Sequence, residues 1–140
     1  MAIPSHLALE IVTPERSILH ENVDEVEIPG ADGYFGVLPG HTPLLASLQV
    51  GQLWYRKGSE ISYLSVAFGF AEVLPDRVTI LAQIAERAEE IDIERAQAAR
   101  QRAEDELAHR PADVDMERAR ISMLKALTRL QVANRARTRA

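Results

Sequence analysis

The 140-residue chain contains no cysteine, which excludes a disulfide framework, a thiolate nucleophile and a thiolate metal site. Glycine stops early: none follows Gly69, and beyond residue 85 the single proline is Pro111. Aromatic residues stop at Phe70, so the later part of the chain has no rings on which nucleic-acid bases stack. Charge is unevenly missing too. Up to residue 84 the only bases are Arg16, Arg56, Lys57 and Arg77, against ten acids, which gives a surface that repels nucleic acid. From Met116 onward acids are what is lacking: Glu117 alone faces Arg118, Arg120, Lys125, Arg129, Arg135, Arg137 and Arg139.

The stretch 33–55 has no Asp, Glu, Lys or Arg and is long enough to cross a bilayer. Gly33, Gly36, Gly40, Gly51, Pro39, Pro43, Gln49 and Gln52 break it into short strands and turns instead, so a span is not expected. The first ten residues show no basic leader followed by an apolar stretch, and no secretory signal is expected from them.

What is present divides the chain in two. Leu7, Leu9 and Ile11 share one parity, as do Val26 and Ile28, and Val78, Ile80 and Ala82, the period-two pattern of half-buried strands. Turn residues separate these runs at 30–33, 57–59 and 75–76. With 46% apolar residues, 1–84 has the makings of a small antiparallel sandwich or flattened barrel.

Across 85–140, alanine, glutamate and arginine predominate, all strong helix formers. Asp92 is placed to cap a first helix reaching about His109, Pro111 to break it, and Asp113 to cap a second helix reaching about Arg137. The first helix offers a thin stripe of Ile93, Ala96, Ala99, Ala103 and Leu107, and the second Met116, Ala119, Met123, Leu127 and Leu130. Small against large suits a close antiparallel hairpin, though alanine burial contributes little free energy, so the hairpin should be able to move. The fold class expected is α+β.

Catalytic groups are not apparent. His6, His20, His41 and His109 are scattered, with no i, i+4 pair and no acidic neighbour at a metal-ligand spacing, and no metal site is expected. Gly33 to His41 is glycine-rich, but His41-Thr42-Pro43 follows Gly40 where a phosphate loop needs lysine and a helix start.

The run Ile28-Pro29-Gly30-Ala31-Asp32-Gly33-Tyr34-Phe35-Gly36-Val37-Leu38-Pro39-Gly40-His41-Thr42-Pro43-Leu44-Leu45 closely resembles the signature of the epsilon subunits of F-type ATP synthases, in their bacterial form. Leu48, Gly51, the segment Gly69-Phe70-Ala71-Glu72-Val73 and the segment Val78-Thr79-Ile80-Leu81-Ala82 look like later strands of that family. Ile91-Asp92-Ile93-Glu94-Arg95-Ala96 resembles its Asp-x-x-Arg-Ala motif at the start of the helical hairpin. The resemblance covers essentially the whole chain.

It implies a non-catalytic rotor subunit: an N-terminal sandwich of about ten strands at the foot of the central stalk, followed by a two-helix hairpin. The implied partners are the gamma subunit, the c-ring and the catalytic alpha and beta subunits, with the membrane reached through the complex, peripherally and on the cytoplasmic side. Ala31, Asp32, Tyr34 and His41 would face the c-ring or gamma subunit. Arg118, Arg120, Lys125, Arg129 and Arg135 would meet acidic segments of the catalytic subunits when the hairpin extends, inhibiting ATP hydrolysis.

Some family members bind regulatory ATP in the folded hairpin. Glu86, Ile91, Asp92, Arg95, Ala96 and Arg102 match the first-helix side of that site, and Lys125 and Arg129 the second. Lys125 stands where those members carry arginine, keeping the charge but losing the bidentate fork. A free-standing nucleotide sensor is therefore a second expectation. Nucleic-acid binding through the arginine-rich end is a weaker third, given the acidic first part.

Overall fold

The computed structural model describes residues 2–110 and 112–138, with side chains as far as Ala136. The expected break at Pro111, the Arg137 side chain and Arg139 lie outside the described residues. Eight strands come first: β1 (Leu7–Val12), β2 (Ser17–Val23), β3 (Glu25–Gly30), β4 (Gly33–Val37), β5 (Leu44–Leu48), β6 (Gly51–Lys57), β7 (Glu60–Leu74) and β8 (Arg77–Arg87). A single 3-10 turn at Ala88–Glu90 leads to two helices, α1 (Ile93–His109) and α2 (Met116–Thr138).

Leu7, Leu9, Ile11, Val26, Ile28, Val78, Ile80 and Ala82 are all buried, as the alternation requires, and join Val23, Val37, Leu53, Leu64, Val66 and Val73 in one core. Strand β3 uses its start to pair with β6 and its end, at Gly30, to pair with β5, and both β5 and β6 pair with β7. The result is a flattened barrel closed on that side. The uncharged stretch 33–55 is accounted for by β4, β5 and most of β6. Among the described residues no helix is long and apolar enough to cross a membrane.

The structure revises the expected fold in three respects. The strands number eight rather than about ten, because β7 and β8 are long: β7 pairs with β6 through 60–66 and with β5 through 69–73, serving two neighbours in turn. One pairing is parallel, β1 on β8, with Leu9 beside Val78 and Ile11 beside Ile80. The rest of the sandwich supplies the crossover that a parallel pair needs. And the sandwich does not end at 84: Ala85, Glu86 and Arg87 continue β8 opposite Val66, Ser65 and Leu64, moving the boundary to 87/88.

Gly69 is where β7 changes neighbour. Its φ is +119°, and a Cβ there would collide with the Leu81 carbonyl oxygen and lie 2.9 Å from the Ala82 Cα, so only glycine fits. Phe68 beside it has a φ of +60°, an uncommon and strained conformation for a bulky residue.

Asp24 ties three segments together at the opposite end of β6. It accepts from the Gly58 N–H at 2.7 Å, lies 3.1 Å from His6 Nδ1 and 3.8 Å from an Arg56 nitrogen, while Arg56 also bonds Glu25 at 3.1 Å. The Gly58 hydrogen bond, helped by His6 and Arg56 and opposed by partial burial, holds the Asp24 carboxyl below its ordinary value.

In α1, Asp92 is the cap expected of it: its Oδ1 accepts from the Arg95 N–H at 3.1 Å. The helix closes with Arg110 in the left-handed region, its N–H bonded to the Glu106 carbonyl at 3.0 Å. The second cap is Asp115, not Asp113. Asp115 Oδ1 takes the N–H groups of Glu117 and Arg118 at 3.1 and 3.2 Å, because the Ncap must stand immediately before Met116.

The facing stripes are also smaller than expected. Ala96 and Ala103 of α1 and Ala119, Ala126 and Ala133 of α2 are buried at seven-residue spacing, whereas Met116, Met123, Leu127 and Leu130 are half-buried. Alanine against alanine brings the two backbones close, and the larger side chains flank the seam.

Candidate functional site: the face between sandwich and hairpin

Helix α2 lies back against the first part of β7, β6 and the 3-10 turn. Val132 and Ala133 pack there with Ala88 and Ile91, with Tyr63, Ile93 and Ala136 around them. This small cluster is separate from the main core of the sandwich.

Cations flank it. Lys125, Arg129, Val132 and Ala136 recur at helical spacing and share one face of α2. Lys125 Nζ stands 5.8 Å from the centre of the Phe68 ring, and the Arg135 guanidinium 5.2 Å from that of Tyr63. Between them, Arg129 Nη2 donates to Glu86 Oε2 at 3.2 Å, and its Nε lies 2.7 Å from Oε1. Both side chains are largely sheltered, Arg129 at 19% and Glu86 at 25% exposure. Only the Nη2–Oε2 contact has hydrogen-bond geometry; Arg129 Nε, though close to Oε1, is buried without a hydrogen-bond partner among the described residues, so the pair is held by charge and a single bond.

The nucleotide residues expected from the resemblance are thus distributed among several duties. Glu86 and Arg129 come together and neutralise each other. Lys125 covers Phe68, Ile91 is buried in the small cluster, and Ala96 is buried between the helices. Asp92 is engaged as a cap, and Arg95 and Arg102 are exposed on α1.

Of the cations expected to reach catalytic subunits, Arg118 and Arg120 are exposed, Arg120 beside Glu117 at 3.1 Å. Lys125, Arg129 and Arg135 are the three turned to the sandwich. Phe68 and Tyr63 went unrecognised in the sequence. A glycine inside the strand-like run Phe68-Gly69-Phe70 was the available signal for a special backbone at the first of them.

Of the four residues expected near the c-ring or gamma subunit, three share a groove of the sandwich and His41 is not among its lining. Ala31, Asp32 and Tyr34 are exposed and border an open groove of ≈ 620 Å³ shared with Leu44, Leu45 and Ser47. Leu45, on that groove, is 71% exposed. His41 is half-buried and its Nδ1 lies 2.6 Å from the Thr42 carbonyl oxygen, while the Gly40 N–H bonds the Pro75 carbonyl at 2.7 Å and secures the loop. Among the described residues no group of three or more His, Asp or Glu is arranged to hold a metal ion.

The fold is a β-sandwich carrying a two-helix hairpin that rests on it through cation contacts. Residues 6–88 match the family described as ATP synthase, Delta/Epsilon chain, beta-sandwich domain, and residues 89–134 match the same chain's long alpha-helix domain. The chain belongs to the ATP synthase delta/epsilon chain family, and is a non-catalytic subunit of the epsilon type. It is 50% identical over 130 residues to ATP synthase epsilon chain 2 of Syntrophotalea carbinolica, covering 92% of this chain and 94% of that one. It is likewise 50% identical over 129 residues to the ATP synthase epsilon chain of Syntrophobacter fumaroxidans, covering 92% and 96%. Among solved structures it is similar to a chain of the Euglena gracilis mitochondrial ATP synthase OSCP/F1/c-ring assembly, at 28% identity and a TM-score of 0.75, covering 97% of this chain and 84% of that one.

Proposed function

We propose that this chain is the coupling and braking subunit in the central stalk of an F-type ATP synthase. The sandwich joins the gamma subunit to the c-ring and so helps couple ion movement to ATP synthesis. Ala31, Asp32, Tyr34 and His41 supply the surface for that contact. The hairpin is the brake. Extended, its second helix carries Arg118, Arg120, Lys125, Arg129 and Arg135 to acidic segments of the alpha and beta subunits and slows ATP hydrolysis. The protein sits peripherally at the membrane through the complex, on the cytoplasmic side.

The observation that carries this reading is the separation of the two apolar clusters. The hairpin is fastened by side-chain pairs and by the small cluster of Ala88, Ile91, Val132 and Ala133, outside the main core, so it can leave without unfolding the sandwich. Electrostatic complementarity then sets which surface the basic helix settles on. Removing residues 88–140 should leave assembly into the complex intact and raise its ATP hydrolysis. Loss of assembly with unchanged hydrolysis would refute the braking role.

A further inference from the structure

We infer that the hairpin turns on a joint of one residue, Ile91, because the 3-10 turn before it is clamped to the sandwich through Glu90, Arg16 and Arg87. The joint takes up the braking movement proposed above and rests on that reading.

Strand β8 ends at Arg87 and α1 starts behind its cap, Asp92, so residues 88–91 are all that connects them. Four residues reach about 14 Å at most, even fully extended. The start of α1 therefore stays beside the sandwich wherever the rest of the hairpin goes, and any change of direction falls within these four residues.

Ala88, Glu89 and Glu90 are committed. They are wound as a 3-10 turn, closed by the Ile91 N–H on the Ala88 carbonyl at 3.4 Å. Glu90 Oε2 accepts from Arg16 Nη2 at 2.8 Å, across 74 residues of sequence. Its Oε1 lies 3.9 Å from Arg87 Nε, and Arg87 Nη2 donates to the Ile18 carbonyl at 2.8 Å. Arg16 sits in the β1–β2 turn, where its backbone N–H bonds Thr13 Oγ1 at 3.3 Å and its carbonyl takes the Thr13 N–H at 3.0 Å. Every one of these partners belongs to the sandwich. The clamp therefore outlasts the departure of α2, whereas the contact of Glu86 with Arg129 and the burial of Ile91 beside Val132 and Ala133 end with it.

The ion pairs are half-exposed and individually weak. A joint needs only a difference between neighbours. Ile91 offers no charge to hold: its backbone is extended, and its side chain is buried in the cluster that α2 completes. Asp92, on its other side, is tied to α1 by capping the Arg95 N–H. The ψ of Ile91 and the φ of Asp92 are the torsions left to turn. Arg16, Arg87 and Glu90 are thus positioning residues, which fix where α1 begins and so the angle at which the basic second helix arrives.

The test uses the full chain, which has no native cysteine. Spin labels at Ser59→Cys and Glu89→Cys measure the turn against the sandwich, and labels at Ser59→Cys and Ala98→Cys measure α1; all three positions are exposed. Between the free chain and the assembled complex, the first distance should stay the same and the second should change. Glu90→Gln and Arg16→Gln should broaden the first distance distribution and raise ATP hydrolysis by the complex severalfold, with assembly and thermal unfolding of the sandwich unmoved. Arg16→Lys should keep the brake, because the contact uses a single guanidinium nitrogen.

A first distance that changes together with the second overturns the joint. So does a second distance that stays fixed, since nothing then turns. Charge variants that leave either the first distribution or the hydrolysis of a braked complex unchanged overturn the positioning role. If the distances behave as expected but hydrolysis is the same with and without residues 88–140, the braking reading falls and the joint stands.

Discussion

Arg129 and Glu86, 43 residues apart in the chain, meet with Nε 2.7 Å from one carboxylate oxygen and Nη2 3.2 Å from the other. The contact exists only while α2 lies on the sandwich. Replacing Glu86 by Gln leaves the shape and removes the charge. The docked hairpin should lose about 1–2 kcal/mol, since charge-assisted bonds in sheltered places are worth more than exposed ones. Amide hydrogen exchange along α2 checks this: its protection should fall while that of β1 and β8 is unaltered.

Asp92 gives a prediction confined to the start of α1. Its Oδ1 caps the Arg95 N–H, and Asp92→Ala should cost about 1 kcal/mol of helix stability. Helical circular dichroism should fade at a lower temperature, with the sandwich transition unmoved. Asp113→Ala should do little, because Asp115 holds that cap.

Gly69→Ala tests the kink in β7. The added methyl meets the Leu81 carbonyl and demands a backbone conformation that alanine resists, so the sandwich should lose at least about 3 kcal/mol. Thermal unfolding should shift down by about 10 °C. Unchanged melting would mean that β8 does not approach Gly69 as closely as described.

Asp24 makes stability depend on acid. Its carboxyl is held below the ordinary 3.8, chiefly by the Gly58 N–H, so the folded state binds this proton less readily than the unfolded state. The resulting stabilisation is complete above the unfolded pKa and vanishes as pH falls through the folded one. Chemical denaturation between about pH 5 and pH 2 should show the native chain losing stability more steeply than Asp24→Asn.

Much of this architecture was legible because burial repeats with the period of the backbone. Leu7, Leu9 and Ile11 alternate and are buried; Asp92 stands one residue before a helical pattern and caps it. The charge reversal at α2 was legible as well, and it marks the element that docks. Features joining distant segments left no local trace. The parallel pairing of β1 with β8 depends on how the sandwich closes, not on either strand alone. Asp113 and Asp115 are the same residue type within one turn, and the choice between them is set by where Met116 begins the helix. Bulk does not mark the packing faces of α2: Ala126 is buried, and Val132 and Ala133 are buried against Ala88 and Ile91. Glu86 and Arg129 were singled out through the resemblance, as part of a nucleotide site. That they bond each other follows from where β8 ends and how α2 returns.

The most direct measurement is ATP hydrolysis by the assembled complex carrying either the full chain or one lacking residues 88–140, at matched assembly. The account predicts faster hydrolysis with the shortened chain, and slower hydrolysis with Glu86→Gln, which frees the basic helix to reach the catalytic subunits. Equal rates for all three would contradict it.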